Sequence, residues 1–450
     1  MSVPQSAVVW FRRDLRLTDH PALLAAAQAS DHVLGVFVLD RSLWRRAGAP
    51  RRAFLAGALA DLSDRLDGRL AVLHGDPARA IVGAARHVGA ATVHVSAEFT
   101  PYGTARDQRV SAALAEHGVG WAATGSAYAV APGRIRKADG TPYRVFTPFS
   151  RAWRAHGWRP PAADAGPIRW LEYDGPHRTR LPEQPSTGTS LPTPTEAAAR
   201  RRWRAFLDHD LAEYDVHRDR PDLDRTSRMS AYLHLGLIHP RTLLADLGDR
   251  RGAGPDRFRT ELCWREFYAD VLFAEPSSAW ESYDPRWAAF PWDDDKARFA
   301  AWQHGRTGFP IVDAGMRQLR AEGWMHSRLR MIVASFLVKD LHLPWQWGAR
   351  HFMDLLVDAD VASNNHGWQW TAGSGTDAAP YFRVFNPITQ GQRFDPAGDY
   401  VRRWVPELRG LAGPAVHQPG RERPPGYPAP MVDHQAERID ALRRYEQIRG

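Results

Sequence analysis

The chain is nearly free of cysteine, since Cys263 is the only one among its 450 residues. A single cysteine excludes an internal disulfide bond and any metal cluster held by several thiolates. Its place between Leu262 and Trp264 favours a small buried side chain over a reactive thiol. The nineteen histidines include no His-Glu-x-x-His motif or similar close pair, so we expect no metal site.

Long apolar runs are also missing. No stretch approaches the roughly twenty residues that a membrane-spanning helix needs. The first residues, Met-Ser-Val-Pro-Gln-Ser, lack the basic and apolar regions of a secretory signal. We therefore expect a cytoplasmic protein without a membrane partner. The chain contains no Gly-x-Ser-x-Gly nucleophile elbow and no P-loop, which disfavours serine hydrolases and P-loop NTPases.

The composition is that of a soluble globular protein, with 44% hydrophobic and 24% charged residues. A length of 450 residues exceeds what one hydrophobic core usually supports and predicts two or three domains. The 59 Lys and Arg residues against 51 Asp and Glu residues give a net charge of +8. This charge is compatible with a nucleic-acid partner. The excess of Arg over Lys is explained more simply by a GC-rich genome.

Apolar runs alternate with amphipathic stretches over the first 125 residues. Buried strands are predicted at 7–11, 33–39, 70–73, 91–95 and 119–122, and helices at 21–29, 51–66, 77–87 and 104–117. This alternation predicts an α/β domain with a doubly wound, parallel, five-stranded sheet. Ligands of such a fold collect at the carboxyl ends of the strands, here near residues 12–14, Asp40 and residues 98–102. Helix capping explains these residues about equally well.

The amino-acid composition changes after this region. Eight prolines between residues 160 and 194 interrupt any helix and predict a long connector packed along the surface. After Glu196 the apolar residues follow a helical period, which predicts an all-helical second part. Its helices are predicted at 197–211, 229–237, 240–247, 258–273, 311–319 and 325–341. The expected organisation is an α/β domain over 1–130, a connector over 131–195 and a helical domain over 196–450.

One stretch, residues 358–387, mixes acids, amides and tryptophans with Gly and Ala. It is too polar for an ordinary core and too aromatic for a surface loop, so we interpret it as a site. Its Trp368 and Trp370 belong to a set of eighteen tryptophans. Such a density of oxidisable indoles suggests electron transfer.

Two further segments carry polar groups at predicted helices. Residues 226–230 offer three hydroxyls and several N–H groups at a helix start, which suits a phosphate, although position alone favours an ordinary N-cap. Glu261, Arg265 and Tyr268 share a helical face, with Trp264 beside it. A surface ion pair explains the Glu-Arg spacing, while the aromatic residues suit recognition of a nucleic-acid base.

A last segment places two arginines in a partly apolar helix. Arg328 and Arg330 need acidic or phosphate partners, and Asp358 and Asp360 are the acids that we expect to supply them. Asn364 follows Asp360 by four residues and would share its face if that turn is helical.

Together these segments resemble the DNA photolyase/cryptochrome family, and the match runs in order through nearly the whole chain. It covers residues 10–22, 226–230, 261–268, 302–303, 308–313, 324–331, 358–387 and 432–434. An ordered set of this extent is far more specific than one tryptophan-rich motif. The resemblance implies an α/β antenna domain, a connector and a helical domain that holds FAD, with the reduced form active.

Within the family the chain is most similar to the class I cyclobutane pyrimidine dimer photolyases. The resemblance implies light-driven repair of these dimers in UV-damaged DNA: an electron passes from excited reduced FAD to a flipped-out lesion and returns after the ring has split. Flipping costs about a few kcal/mol, least where damage has already distorted the base pair. The resemblance also implies a monomer without an obligate protein partner.

The resemblance assigns roles residue by residue. Contacts to FAD are implied for Tyr214, Thr226, Ser227, Arg228, Met229, Ser230, Phe258, Arg330, Asp358, Ala359, Asp360 and Asn364, with Asn364 near flavin N5 and Arg330 paired with Asp358. Contacts to DNA or the lesion are implied for Glu261, Trp264, Arg265, Tyr268, Ser327, Arg328, Leu329, Met331 and Trp370. Among these, Trp264 and Trp370 would stack on the lesion and Glu261 would hydrogen-bond to its carbonyls. Trp368, Trp345 and Trp292 match the inner, middle and outer members of a photoreduction chain, while packing explains Trp302 and Trp280.

Several positions discriminate between members of the family. Histidines typical of (6-4) photolyases are absent at Ser327 and Met331, and Met331 fits class I enzymes where the DASH group usually has Gln. Ser327 replaces the usual Asn, so a hydrogen bond to the lesion is lost or passes through water. Phe258 replaces a Trp and keeps an aromatic contact. The alternative is a cryptochrome-type blue-light signalling flavoprotein without repair activity; Asn364 and the short stretch after Tyr400 favour a photolyase.

The antenna chromophore depends on residues 98–107. The Asn-Glu pair of folate-binding members is missing, and Tyr102 and Gly103 stand in its place. The Pro-Tyr-Gly sequence resembles members that use 8-hydroxy-5-deazaflavin, which we favour over methenyltetrahydrofolate. An empty antenna site is the alternative.

Overall fold

A computed structural model describes residues 6–376 and 383–449 of the chain. In these residues the first part of the chain forms a six-stranded parallel sheet. Its strands are β1 Ser6–Phe11, β2 His32–Asp40, β3 Ala71–Gly75, β4 Ala90–Ala97, β5 Gly120–Ser126 and β6 Arg169–Trp170. The order is β3-β2-β1-β4-β5, and β6 pairs with the start of β2. The five predicted strands are confirmed; β6 was missed because two residues carry no periodic signal.

Helices cover both faces of this sheet. They are α1 Pro21–Ala29, α2 Arg41–Arg46, α3 Ala49–Arg65, α4 Pro77–His87 and α5 Pro101–Ala115. Side chains alternate along β1, so Val9 and Phe11 pack on the side of α1 and α3, while Val8 and Trp10 pack on the side of α4 and α5. The sheet is therefore doubly wound, as the sequence predicts.

The stretch predicted as a connector contributes one helix, α6 Phe146–His156, in addition to β6. Phe146, Phe149 and Trp153 form the buried side of α6, which packs against the long helix α11 described below. The prolines between 160 and 194 leave this part of the connector without a helix, as expected.

The rest of the described chain is helical. Its helices are α7 Glu196–His209, α8 Tyr214–His217, α9 Ser230–Leu235, α10 Pro240–Leu247, α11 Ala253–Ala274, α12 Lys296–Gln303, α13 Pro310–Glu322, α14 Ser327–Ser335, α15 Trp345–Leu355, α16 Val361–Ala372, α17 Pro387–Phe394, α18 Asp399–Trp404 and α19 His434–Gln447. The single helix predicted over 325–341 is divided, because α14 continues as the π-helical turn Phe336–Asp340. None of the described helices is both long and apolar enough to cross a membrane.

Candidate functional site

The acidic segment singled out by the sequence lies just before α16, and residues 377–382 of the same stretch lie outside the described residues. Asp358 accepts a hydrogen bond from Arg330 Nη2 at 2.8 Å, so the expected ion pair is present. Arg330 Nε also donates to the Met325 carbonyl at 2.9 Å. The other oxygen of Asp358, Oδ1, is buried and has no hydrogen-bond partner in the described parts of the chain. Because such an oxygen is costly to bury unpaired, it indicates a donor from a bound group.

Both carboxylate oxygens of Asp360 accept hydrogen bonds. Its Oδ2 accepts from Arg13 Nη2 at 2.7 Å, and its Oδ1 accepts from the backbone N–H of Ser363 at 3.0 Å, which caps α16. Burial by itself raises the pKa of Asp360, but the charges of Arg13 and Arg265 hold that pKa well below its usual range. Asp360 is therefore an ionised carboxylate. The sequence placed Arg13 at the sheet edge and gave no sign of this contact.

Asn364 and Ala359 are fixed by neighbouring helices. Asn364 Nδ2 donates to the Ala349 carbonyl at 3.1 Å and to Asn365 Oδ1 at 2.8 Å. The Ala359 carbonyl accepts from Arg51 Nη1, a residue of α3, at 3.3 Å. The run from 358 to 364 is thus a rigid support, in contact with both the α/β and the helical part.

The hydroxyl-rich loop 226–230 precedes a short helix. α9 begins at Ser230 and spans six residues, and within the described chain no side chain caps it. An ordinary side-chain N-cap therefore does not explain this loop, which corrects that expectation. Arg202 Nε donates to the Ser227 carbonyl at 3.1 Å, and Arg202 Nη2 donates to the Thr226 carbonyl. With its carbonyls held there, the loop keeps a buried Thr226 Oγ1 that has no partner in the described structure.

Arg228 gives the same loop an unusual backbone. Its φ of 53° lies in the left-handed region, which costs energy for a residue with a side chain. Ion pairs with Asp224 at 2.8 Å and Glu322 at 3.2 Å, and stacking of the guanidinium 4.1 Å from the Trp324 ring centroid, hold it there. Met229, next in the chain, is buried.

Tyr214 and Phe258 meet in an aromatic cluster. Their ring centroids lie 5.6 Å apart, and Phe206 packs 5.1 Å from Phe258. Burial raises the pKa of the Tyr214 hydroxyl, and the nearby Glu261 carboxylate adds to the shift. Tyr214 is therefore a neutral donor. Phe258 is almost fully buried, so its contacts are those of a core residue.

Glu261 lies on α11 between two arginines. Arg218 Nη1 contacts its Oε1 at 2.6 Å and Arg257 Nε contacts the same oxygen at 3.1 Å. Burial raises the pKa of Glu261, and Arg218 opposes that shift. Arg218 was not predicted as a site residue; only its charge could have drawn attention to it.

Arg265 shares a partly exposed face of α11 with Glu261, as predicted, but makes no ion pair with it in the described structure. Its Nη1 donates to the Ala127 carbonyl at 2.9 Å, and its guanidinium stacks 4.7 Å from the Tyr128 ring centroid. Glu261 and Arg265 are about one helical turn apart, but their long side chains contact different partners. Arg265 thus contacts the end of the α/β part.

Trp264 is stacked on a residue from the connector. Its ring centroid lies 3.6 Å from that of Phe146, with 4° between the ring planes. Tyr268 packs 5.4 Å from Trp264 and stacks on His366 at 5.6 Å. One face of Trp264 is therefore covered by protein. Phe146 was not predicted, since no local pattern connects it to α11.

Neighbouring residues at the start of α14 differ in burial. Ser327 is exposed and Met331 half-buried, whereas Leu329 is fully buried against Gly315 of α13. Leu329, implied as a DNA contact, is therefore a core residue, because the 3.6-residue period turns it to the opposite side.

Arg328, on the same turn, is mostly buried, with 17% of its side chain exposed. Its Nη2 contacts Asp219 at 2.8 Å, and its guanidinium lies 4.4 Å from the Phe394 ring centroid. Its Nε is buried and without a partner in residues 6–376 and 383–449.

Two tryptophans of the implied chain lie on consecutive helices, α15 and α16, and the third, Trp292, precedes α12. Trp368 of α16 is buried, and its ring lies directly on Gly348 of α15. Trp345 begins α15, one turn before Gly348, is fully buried, and donates from Nε1 to Ser282 Oγ at 3.2 Å. Trp292 is half-buried and packs 4.4 Å from Phe290. Trp292 is therefore the most exposed of the three.

The other tryptophans differ from one another. Trp302 is fully buried and donates to the Val333 carbonyl at 3.0 Å, as packing predicts. Trp280 is 39% exposed, so the expectation of core packing was wrong there. Trp370 is half-buried; because residues two apart on a helix point to nearly opposite sides, it faces away from Trp368.

The carboxyl edge of the sheet gathers the residues expected there. Arg12 Nη1 pairs with Asp107 at 2.6 Å, and its guanidinium lies 4.8 Å from the Trp10 ring centroid. The Tyr102 hydroxyl donates to Asp40 Oδ2 at 2.5 Å. This edge is a polar, partly buried cluster whose charged groups satisfy one another.

Comparisons with known proteins agree with this architecture. Residues 7–167 match the family model described as DNA photolyase, and residues 258–447 match the model described as the FAD binding domain of DNA photolyase. A deoxyribodipyrimidine photo-lyase from Streptomyces griseus is 42% identical over 460 residues, covering 99% of each chain.

Solved structures extend the comparison to three dimensions. A bacterial class III photolyase from Agrobacterium tumefaciens superposes with a TM-score of 0.92 at 38% identity, covering 100% of this chain and 98% of that one. A cryptochrome from Synechocystis sp. superposes with a TM-score of 0.88 at 28% identity, covering 98% and 99%. The chain belongs to the DNA photolyase family of flavoenzymes and carries that family's FAD-binding domain.

Proposed function

We propose that the protein repairs cyclobutane pyrimidine dimers in UV-damaged DNA and takes the energy from light. The observation that carries the proposal is the support at 358–364, where the buried Asp358 Oδ1 lacks a partner among the described residues and the first turn of α16 leads to Trp368. The name of the Streptomyces relative, deoxyribodipyrimidine photo-lyase, supports the same substrate.

The residues present suit FAD. Asp358 Oδ1 and Thr226 Oγ1 are buried polar atoms that, in the described structure, lack the partner a hydroxyl, amine or phosphate would provide. Reduced FAD, when bound, supplies an electron donor that light excites. The residues proposed to hold it are Tyr214, Thr226, Ser227, Arg228, Met229, Ser230, Phe258, Arg330, Asp358, Ala359, Asp360 and Asn364.

Glu261 is proposed to bind the lesion. A pyrimidine carbonyl only accepts hydrogen bonds, so the Glu261 carboxyl must be protonated to donate to it. Burial raises the pKa of Glu261 and favours that state, while Arg218 at 2.6 Å disfavours it. The balance makes Glu261 sensitive to whatever displaces Arg218.

Two aromatic residues are proposed to stack on the flipped lesion. Phe146 fixes the plane of Trp264 and leaves its remaining, partly exposed surface for a ligand. Trp370 faces away from the core and suits the second contact. Stacking of a base on an aromatic side chain contributes about 1–3 kcal/mol, which offsets part of the cost of flipping. Ser327 is exposed at the start of α14, and the positive charge of Arg328 lies beside it, so both suit the DNA backbone.

Trp292, Trp345 and Trp368 are proposed to carry electrons from the surface to the cofactor site. Burial supports Trp292 as the outer member, since Trp345 and Trp368 are shielded from water and Trp292 is half-buried. Each indole also packs against other hydrophobic side chains, and such packing explains its position without electron transfer. A kinetic test therefore distinguishes the two roles.

The proposal also covers the subclass of photolyase and the antenna chromophore. Met331 supports class I, and the class III photolyase from Agrobacterium is the competing relative. The Pro101, Tyr102 and Gly103 sequence supports 8-hydroxy-5-deazaflavin as second chromophore. Absorbance and mass of the chromophore released from purified protein test the antenna assignment; a folate would contradict it.

Irradiation of purified protein with DNA that contains cyclobutane dimers tests the main proposal. With the flavin reduced, blue light should restore the pyrimidines, while the dark control should leave the dimers intact. Dimers that persist under blue light would refute repair. A protein that binds FAD and responds to light without repair would fit the signalling alternative, which the likeness to the Synechocystis cryptochrome favours.

A further inference from the structure

Two neighbouring arginines at the end of β1 point to different parts of the molecule. Arg12 pairs with Asp107 inside the α/β part at 2.6 Å. Arg13 pairs with Asp360, which lies 347 residues later in the helical part, with Nη2 2.7 Å from Oδ2. The side chains of Arg13 and Asp360 are 19% and 12% exposed. Arg13 is therefore a largely buried link between the two parts of the chain.

The contact reaches the candidate cofactor site through one residue. Asp360 Oδ1 caps α16 by accepting from the Ser363 N–H at 3.0 Å, and the Asp360 carbonyl accepts from the Asn364 N–H at 2.8 Å. The orientation of the Asp360 carboxylate thus determines the first turn of α16. That turn presents Asn364, and Trp368 follows one turn later.

Few other charges could replace Arg13. Burial lowers the pKa of the neighbouring His234 to about 3, so this imidazole is neutral and offers no charge. Arg265 is the other cation that acts on Asp360, but its guanidinium donates to the Ala127 and Leu233 carbonyls. Without Arg13, Asp360 would be a buried carboxylate lacking its direct ion-pair partner, which destabilises the arrangement around it.

We propose that Arg13, a residue of the α/β part, is a positioning residue of the cofactor site, acting through Asp360 on the first turn of α16. The inference rests on the proposed placement of FAD beside residues 358–364. It requires no contact between Arg13 and the cofactor. It assigns to the α/β part a second task besides the antenna, namely to hold the flavin site in shape.

The test is the affinity for FAD of three purified variants, measured by titrating flavin-free protein and following flavin fluorescence. Arg13→Met should raise the dissociation constant at least about tenfold, while Arg13→Lys, which keeps the charge, should stay within about threefold of the wild type. Arg65→Met is the matched control, because Arg65 also joins the two parts of the chain, through Glu196 at 2.5 Å, but away from the site. It should bind FAD as the wild type does.

A double-mutant cycle with Asp360→Asn keeps the proposal testable if Arg13→Met folds poorly, since the double variant leaves no carboxylate unpaired. In that background Arg13→Met should change the FAD affinity less than about twofold. Wild-type affinity in Arg13→Met, equal losses in Arg65→Met, or an undiminished effect in the double variant would overturn the proposal. Absent dimer repair with normal FAD binding would refute only the proposed function.

Discussion

At the scale of single residues, the proton on Glu261 decides what that side chain can do. Burial raises its pKa more than Arg218 lowers it, so the net shift of the Glu261 pKa is upward. The sequence showed Glu261 as a candidate because of its aromatic neighbours on α11. It could not show Arg218, which reaches Glu261 across 43 residues of chain.

We expect Glu261→Gln to remove the pH dependence of lesion binding. A raised pKa means that the protonated, donating form dominates at low pH and is lost as pH rises through that pKa. Above it, the wild type should lose up to about tenfold in affinity for dimer-containing DNA per pH unit. The Gln amide donates at every pH, so the variant should show a flat profile. Binding of undamaged DNA is the control, and parallel profiles of the two proteins would contradict the role of Glu261.

Trp345→Phe should separate flavin photoreduction from repair. The substitution removes the indole in the middle of the implied chain, and photoreduction should slow at least about tenfold, while enzyme that is already reduced should repair at nearly the normal rate. The cavity left by the smaller ring costs about 1–3 kcal/mol of unfolding free energy. Trp280→Phe changes an exposed tryptophan and should alter neither rate. Equal losses of both activities in Trp345→Phe would contradict the assignment.

At the scale of elements, three helices that start at a proline have the predicted bounds. α1, α4 and α10 begin at Pro21, Pro77 and Pro240 and have the predicted bounds, because proline marks the first turn locally. The apolar run at 325–341 predicts one helix, whereas the structure has two segments there, α14 and a π-helical turn. Its π-helical turn at Phe336–Asp340 changes the hydrogen-bond register without changing the apolar pattern, so no periodicity could show it.

The contact between α15 and α16 predicts opposite effects at two glycines. A Cβ atom at Gly348 would overlap the Trp368 ring, whereas a Cβ atom at Gly367 would have no neighbour within 4 Å. Gly348→Ala should therefore lower the unfolding free energy by about 1–3 kcal/mol and disturb photoreduction. Gly367→Ala lies in the same helix pair and should be neutral or stabilising by up to about 1 kcal/mol. Thermal unfolding of both variants measures the difference; equal shifts would contradict the packing.

At the scale of the whole molecule, buried titratable groups make stability depend on pH. Burial lowers the pKa of four histidines to about 3 or 4: His234, His326, His351 and His366. These shifts do not reduce the unfolding free energy above pH 6.5, the pKa of a histidine in the unfolded chain. As pH falls below 6.5, the unfolded chain binds protons that the folded protein does not bind, and the unfolding free energy decreases. Asp340 and Asp395 act in the opposite sense, since burial raises their pKa to about 6 and the folded state binds the proton.

The balance predicts acid sensitivity. Near pH 5 the unfolded chain binds about four more protons on these histidines and about two fewer on the two aspartates, so its net excess is about two. The unfolding free energy should then fall by about 2–3 kcal/mol for each pH unit lost. The midpoint of thermal unfolding should decrease steadily from pH 6.5 to pH 5. A midpoint that stays constant or rises over this range would contradict the histidine shifts.

The sequence by itself determined the features that have a local signal. Alternating patterns gave the parallel sheet and the helical part, and the ordered motifs gave the family. The tertiary structure alone decided which side chains meet: Arg13 with Asp360, Phe146 with Trp264, and Arg265 with Ala127 in place of Glu261. The physical reason is that strands and helices form from interactions between near neighbours, whereas these contacts depend on how distant elements pack. A single sequence holds no periodicity that connects them.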